Sequence, residues 1–568
     1  MTRRRNIILA TTAIACAGLA LGVARARDVP KVATGFIAHT LCSDSFVSGL
    51  DPQRDLAETT DAMPGAGLLT WAMDYQVDRA RKDVTVTLFG LGRSHAVYRG
   101  EGLGCYLDHG TAVADISVPA PDAKSALLPD IAASSIVAPE TPQLAAALER
   151  AFAEPDRSTL RNTRAIVVVK DGHIVAERYA DGIGIDTPLL GFSATKSVIS
   201  ALAGILVRKG ALKLHEPVPI AAWQGANDPR RAITLDHLIR HTAGLALGSS
   251  LSASLASALE PVNRMKFTES DMAAYAESMP LETAPGSAWN YNDGNTVILG
   301  HVIRQASGGS ASKMMRFARQ ELFDPLGMRN VAIEFDASGN PEASSQMLAS
   351  ARDWARFGQL YLNDGMAGGK RILPEGWVKY SAAATPNAWV GQSAGFWTNL
   401  GDTLWRDLPR RARLAARCLL RQGHDRAIPH RHPVGEIGNR ADGTLAELAA
   451  ASRRRVRSRS RRGGGNAGKG EDGGGGLSEA ERGVFFLPAA LGASTLSHKG
   501  RGCTACAARI DYRPSSVACA TRSNRSSVMI ASANFSARAF STGRASVRNF
   551  CCIACASGNE FGSPEGSA

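Results

Sequence analysis

Gly191-Phe192-Ser193-Ala194-Thr195-Lys196 runs into Ser197-Val198-Ile199-Ser200-Ala201-Leu202-Ala203-Gly204-Ile205-Leu206-Val207. This stretch sets a hydroxyl and an amine three residues apart at the mouth of an apolar helix. Positions i and i+3 share a helical face, so Ser193 and Lys196 can point into one cleft. The apolar run marks the helix as buried, and a lysine at its start then sits in low dielectric, which favours the neutral amine. A neutral amine in reach of a serine can take its proton, the Ser-Lys form of nucleophilic catalysis. Backbone N–H groups at the helix start are free for a developing oxyanion. An isolated S-x-x-K also reads as a serine-capped, solvated helix end. Here a Gly-Phe step precedes it and a strong hairpin lies upstream.

That hairpin is Ala165-Ile166-Val167-Val168-Val169-Lys170, Asp171-Gly172, His173-Ile174-Val175-Ala176-Glu177-Arg178-Tyr179, with Asp-Gly predicting a type I′ turn. Before it, Thr141-Pro142 opens a helix through Phe152, with Thr as N-cap and Pro at N1. Downstream, Thr234 to Leu245 reads as a short helix running into a turn. Ser350-Ala351-Arg352-Asp353 opens another helix with a capping box, and Trp354, Phe357, Leu360 and Tyr361 line one face. A helix, then strands, then many helices predicts an α+β fold, an antiparallel sheet beside a helical cluster.

Residues 27–125 read as a small β-rich domain, with strands Val84–Phe89 and Ser94–Tyr98 around Gly90-Leu91-Gly92-Arg93. Pro119, Pro121, Pro129 and Pro139 mark the stretch before residue 141 as a linker, over 126–140. The domain that carries Ser193 and Lys196 is expected over 141–402. Met1 to Ala26 reads as an export signal: Arg3-Arg4-Arg5, an apolar run from Ile7 to Val23, then Ala24-Arg25-Ala26 as a cleavage site. An uncleaved anchor is the other reading of the same segment. Export predicts a periplasmic or secreted protein in an oxidising compartment, where Cys42 and Cys105 either form a disulfide or stay as two core thiols.

The 568 residues carry a formal charge of +13, which alone suggests a nucleic-acid or membrane partner. The excess lies wholly beyond residue 402, and the chain before it is near neutral. Residues 403–568 are dense in Arg, Gly and Cys, a composition that predicts disorder. The abrupt switch near Thr403 has the look of out-of-frame translation, with the C-terminal strands of the domain lost. Export argues against nucleic acid as a partner. Cys503-x-x-Cys506 and Cys552-x-x-Cys555 are too far apart for an ordinary zinc ribbon, so no metal is expected.

Three ordered segments resemble the β-lactamase-related serine hydrolases: Asp186–Ser197, Thr234–Leu245, and Pro285-Gly286-Ser287-Ala288-Trp289-Asn290-Tyr291-Asn292-Asp293-Gly294-Asn295. That superfamily includes class C β-lactamases, D-alanyl-D-alanine carboxypeptidases, esterases and 6-aminohexanoate-dimer hydrolases. Ala351–Gly358 and Phe396-Trp397-Thr398-Asn399 are most similar to the last group. The resemblance implies a β-lactamase/transpeptidase-like fold with the site between sheet and helices. It matches Ser193 to the nucleophile, Lys196 to the motif lysine and Tyr291 to the tyrosine of a Tyr-x-Asn motif. A phenol beside a lysine ammonium can shuttle a proton to a leaving group. Asp293 stands where the family often has Asn, and with Asn295 it is a supporting residue. His241 reads as a helix-end structural residue.

The family's third motif, Lys-Thr-Gly or His-x-Gly on the strand closing the cleft, is not found shortly after Asp402. His498-Lys499-Gly500 fits it only formally. Gly391-Gln392-Ser393-Ala394-Gly395 matches G-x-S-x-G, but the strand-like Phe396-Trp397-Thr398 follows where a helix is required. The expected chemistry is hydrolysis of a small-molecule or peptide-like amide or ester by Ser193, Lys196 and Tyr291, without a cofactor. The other expectation is a catalytically silent ligand-binding homologue that lacks the third motif.

Overall fold

The computed structural model describes residues 28–62, 70–90, 92–154, 161–251, 255–388, 391–398, 419–420 and 528–534. They belong to one compact unit. Residues 1–26, read as an export signal, both C-x-x-C pairs and His498-Lys499-Gly500 lie outside the described residues. Among the described residues, no helix is long and apolar enough to cross a membrane.

The N-terminal part is more helical than its sequence suggests. Helix α1 (Val29–Ser43) and helix α2 (Pro52–Ala62) precede an antiparallel sheet of β1 (Met73–Asp78), β2 (Asp83–Leu88), β3 (Gly92–Gly100) and β4 (Gly104–Leu107). Val32, Thr34 and Gly35 disguise α1, because β-branched residues and glycine weaken helix propensity. Burial decides instead: Val32, Ile37, Ala38 and Leu41 pack on Val84, Val86 and Ala96 of the sheet. Gly35 is needed for close approach, since a Cβ there would lie 3.0 Å from the Phe267 backbone oxygen. Cys42 of α1 is disulfide-bonded to Cys105 of β4.

Helix α3 (Pro142–Phe152) starts as its sequence predicts, the Thr141 hydroxyl accepting from the Leu144 N–H. The hairpin follows as β5 (Thr163–Lys170) and β6 (His173–Tyr179), and Asp171 (φ 51°) and Gly172 (φ 86°) are both left-handed, as a type I′ turn requires. Both faces of β5 are buried. Ile166 and Val168 meet Leu148 of α3. Val167 and Val169 join the main core with Leu202 and Ile205.

Strand β7 (Leu189–Leu190) leads into helix α4 (Ala194–Arg208). The helical cluster continues with α5 (Leu235–Ile239), α6 (Pro261–Thr268), α7 (Met272–Ser278), α8 (Asp293–Ala306) and α9 (Ala311–Ala318). β8 (Val331–Ile333) and β9 (Met347–Ala349) form a small sheet with β7 in the order β7-β9-β8. Helix α10 (Ala351–Leu362) buries Trp354, Phe357, Leu360 and Tyr361. Its capping box is only half formed. The Ser350 hydroxyl accepts from the Asp353 N–H, but the Asp353 carboxylate turns to the N–H groups of Arg329 and Asn330.

A minor hairpin, β10 (Met366–Ala367) and β11 (Lys370–Arg371), comes next. β12 (Trp397–Thr398) pairs with β13 (Leu419–Leu420). β14 (Val528–Asn534) pairs antiparallel with β5, so this sheet runs β14-β5-β6. Beyond residue 402 the described residues are these two strand segments, β13 and β14. The open edge of β5 explains the second, because its unpaired N–H and C=O groups are satisfied by the apolar run Val528-Met529-Ile530-Ala531.

Candidate active site

Ser193 is placed by backbone rather than by its side chain. The Gly191 N–H donates to the Met347 carbonyl at 2.8 Å, tying the approach to β9. Phe192 is left-handed (φ 43°), an unusual conformation for a bulky residue. The chain then turns, and α4 begins at Ala194 with the Ser193 side chain making no cap bond. Ser193 is half-buried; Lys196, one turn on, is 4% exposed.

Lys196 Nζ has three oxygen partners: Ser193 Oγ at 3.5 Å, Asp293 Oδ1 at 2.7 Å and the Ser344 carbonyl at 2.9 Å. This corrects the expectation of a neutral amine. Burial pushes the Lys196 pKa down, but the Asp293 carboxylate, then Tyr291, more than reverse it and leave it above its ordinary value. The lysine rests as an ammonium.

Asp293 is the first residue of α8, whose N-cap Asn292 accepts from the Asn295 N–H at 3.0 Å. An aspartate is also favourable in the first turn of a helix. Its own N–H donates to Ser250 Oγ at 2.9 Å. Its second oxygen, Oδ2, accepts from Lys266 Nζ at 3.1 Å. Burial raises the Asp293 pKa, and the two lysines overwhelm that, holding the carboxyl well below the usual range. The other supporting candidate, Asn295, turns instead to the cap, its Nδ2 donating to Asn292 Oδ1 at 3.0 Å.

Lys266 extends the constellation. It donates to Ser345 Oγ at 2.7 Å and lies 3.6 Å from Glu342 Oε1. Glu342 accepts from the Ser345 N–H and hydroxyl, both at 3.0 Å, and from the Ser344 hydroxyl. Lysines and carboxylates therefore alternate through buried space: Lys196, Asp293, Lys266, Glu342. Sequence reasoning missed Lys266 and Glu342. One signal pointed there: a carboxylate in place of the usual Asn adds a buried charge, which needs a counter-ion.

Tyr291 is 3% exposed, and its ring centroid lies 5.0 Å from Lys196 Nζ. It makes tilted ring contacts with Trp397 (centroids 5.3 Å apart) and His241 (4.5 Å). His241 is left-handed (φ 59°), and its carbonyl accepts from the Asn290 N–H at 2.9 Å, which anchors the segment that carries Tyr291. Burial first, then Lys196, pushes the His241 pKa down to about 3, so the ring stays neutral. Ser393 of the G-x-S-x-G match is fully buried and donates to the Phe396 carbonyl at 3.0 Å, a structural bond. Among the described residues, no group of three His, Cys, Asp or Glu side chains is arranged to hold a metal ion.

The arrangement offers a half-exposed nucleophile, a cation and a phenol at one helix mouth. Residues 148–415 match the family described as Beta-lactamase. The chain is 25% identical over 227 residues to the 6-aminohexanoate-dimer hydrolase of Paenarthrobacter ureafaciens, covering 38% of this chain and 56% of that protein. It is 28% identical over 218 residues to esterase EstB of Burkholderia gladioli, covering 35% and 53% respectively. The chain thus spans about half the length of the curated relatives it matches. Among solved structures, a D-stereospecific amidohydrolase from Streptomyces sp. is similar at 19% identity, covering 44% of this chain and 82% of that one, with a TM-score of 0.34.

Proposed function

We propose that this chain is a β-lactamase-related serine hydrolase, a reading supported by the match of residues 148–415 to the Beta-lactamase family, and that it cleaves amide or ester bonds through an acyl-enzyme on Ser193. The observation that carries the reading is the Lys196 ammonium, bonded to Ser193 Oγ and within 5.0 Å of the Tyr291 ring centroid. Ser193 Oγ attacks the carbonyl carbon, and the Ser193 N–H at the start of α4 supplies an oxyanion donor. The Ser193 proton passes to the Tyr291 hydroxyl as Tyr291 gives its own proton to the leaving nitrogen or oxygen. Lys196 remains cationic and offsets the negative charge that crosses the phenol. Water then enters, loses a proton by the same route reversed, and releases the acid from Ser193.

The substrate class is a small or peptide-like amide or ester. We also propose export through residues 1–26, a reading supported by the Cys42–Cys105 disulfide, since such bonds persist in oxidising compartments. One observation favours a silent binding protein instead: after Asp293, no described strand carries Lys-x-Gly or His-x-Gly. A fluorescent acylating probe separates the two. Labelling that is lost in Ser193→Ala and reduced about 10²-fold or more in Tyr291→Phe supports the hydrolase. An unlabelled wild type supports the binding protein.

A further inference from the structure

Asp293 does not serve Lys196 alone. Its two oxygens are divided between two lysines from different helices, Lys196 of α4 at 2.7 Å and Lys266 of α6 at 3.1 Å. Lys266 sits between the buried Met265 and Phe267 and is itself 5% exposed. A lysine in such a place has to be matched by a carboxylate, and Glu342 lies on its far side at 3.6 Å. We infer that Lys266 is a positioning residue for the centre: by sharing the Asp293 carboxylate, it sets the charge state in which Lys196 faces Ser193. This inference rests on the hydrolase reading for its purpose, though not for its electrostatics.

The argument is one of alternation. With Asp293 between them, the two lysines are held together as ammonium ions. Two cations flanking one carboxylate also repel each other, so Lys266 weakens the grip of Asp293 on Lys196, and this matches the direction of its effect on that amine. Glu342 secures the charge of Lys266 and leaves Lys196 as the lysine that can respond. The charged and titratable groups facing this pair are Asp293 of α8, Glu342 of the loop before β9, Tyr291 from the segment before α8, and His241 from the turn after α5. His241 is neutral, so none of these groups is a cation, and Lys266 is the cation set against Lys196.

The test reads charge directly. Protein carrying lysine labelled with 13C at Cε, with the Lys196 signal assigned through Lys196→Arg, reports the protonation of Lys196 whether or not any ester is hydrolysed. In the wild type Lys196 stays cationic beyond the ordinary lysine range, held there by Asp293. Asp293→Asn removes the shared carboxylate, so Lys196 titrates at least about one pH unit lower, while Lys266, held by Glu342, remains cationic. Adding Lys266→Gln to Asp293→Asn moves the Lys196 midpoint up again. Identical midpoints in the single and double variants overturn the inference. If the double variant does not fold, the single variant decides, and Lys266 losing its proton before Lys196 overturns it. The alkaline limb of kcat/KM for a p-nitrophenyl ester should move with the Lys196 midpoint. A protein that shows this titration order yet hydrolyses nothing counts against the hydrolase reading and leaves the charge assignment standing.

Discussion

His241 lies against Tyr291, ring centroids 4.5 Å apart and planes inclined by 39°, with the His241 ring buried and uncharged. Its pKa is about 3 in the folded protein, against 6.5 for the unfolded reference. Between these values the unfolded chain binds a proton that the folded chain refuses, so stability rises with pH there. The contribution is complete above about pH 6.5 and is lost as pH falls toward 3, at about 1.4 kcal/mol per unit. Urea denaturation from pH 7 to pH 4 should show this slope in the wild type, and His241→Asn, which tolerates the left-handed backbone, should lack it.

Ser393→Ala should leave ester hydrolysis unchanged. Its hydroxyl is fully buried and committed to the Phe396 carbonyl, so the loss should be about 1 kcal/mol of stability. A hydrolysis rate that fell with Ser393→Ala, and not with Ser193→Ala, would make Ser393 the nucleophile and overturn the assignment to Ser193.

Gly191→Ala should act on the nucleophile without touching it. A Cβ at this position would fall on the Trp354 ring and lie 2.9 Å from the Met347 carbonyl. The strand entering α4 has to shift, at a cost of about 1–3 kcal/mol. Displacing Ser193 by an ångström should lower the initial rate by about 10²-fold. A thermal melt and a single-turnover assay on the same preparation separate the two effects.

Opening the Cys42–Cys105 bond releases a loop of 63 residues, worth about 4 kcal/mol in chain entropy. Cys42→Ser/Cys105→Ser should therefore lower the denaturation midpoint clearly. Adding reductant to this variant should change nothing further, whereas the wild type should weaken toward it.

What could be read in the sequence was local. Ser193 and Lys196 are three residues apart on one helix, whereas Tyr291 was reached only through the resemblance of its segment to the β-lactamase-related hydrolases. Asp171-Gly172 announced its turn locally. Lys266 and Glu342 escaped because each acquires meaning only from a partner far along the chain, Asp293 in the first case and Lys266 in the second. The charge on Lys196 was misjudged for a related reason: burial was visible in the apolar run, but the carboxylate that outweighs it arrives from α8. Helix α1 was hidden by Val32, Thr34 and Gly35, whose local preferences yield to packing on β2 and β3. Asp353 looked like half of a capping box, and tertiary structure gave it to Arg329 and Asn330 instead.

The pairing of β14 with β5 joins residues 528–534 to residues 163–170. Ribosomes release the two partners in order, so β5 and β6 emerge long before β14 exists. Through that interval one margin of a strand rich in valine stands open to any other extended segment, including its own copy on a neighbouring nascent chain. Yield in a heterologous host should therefore depend on how the cell shields that margin during synthesis.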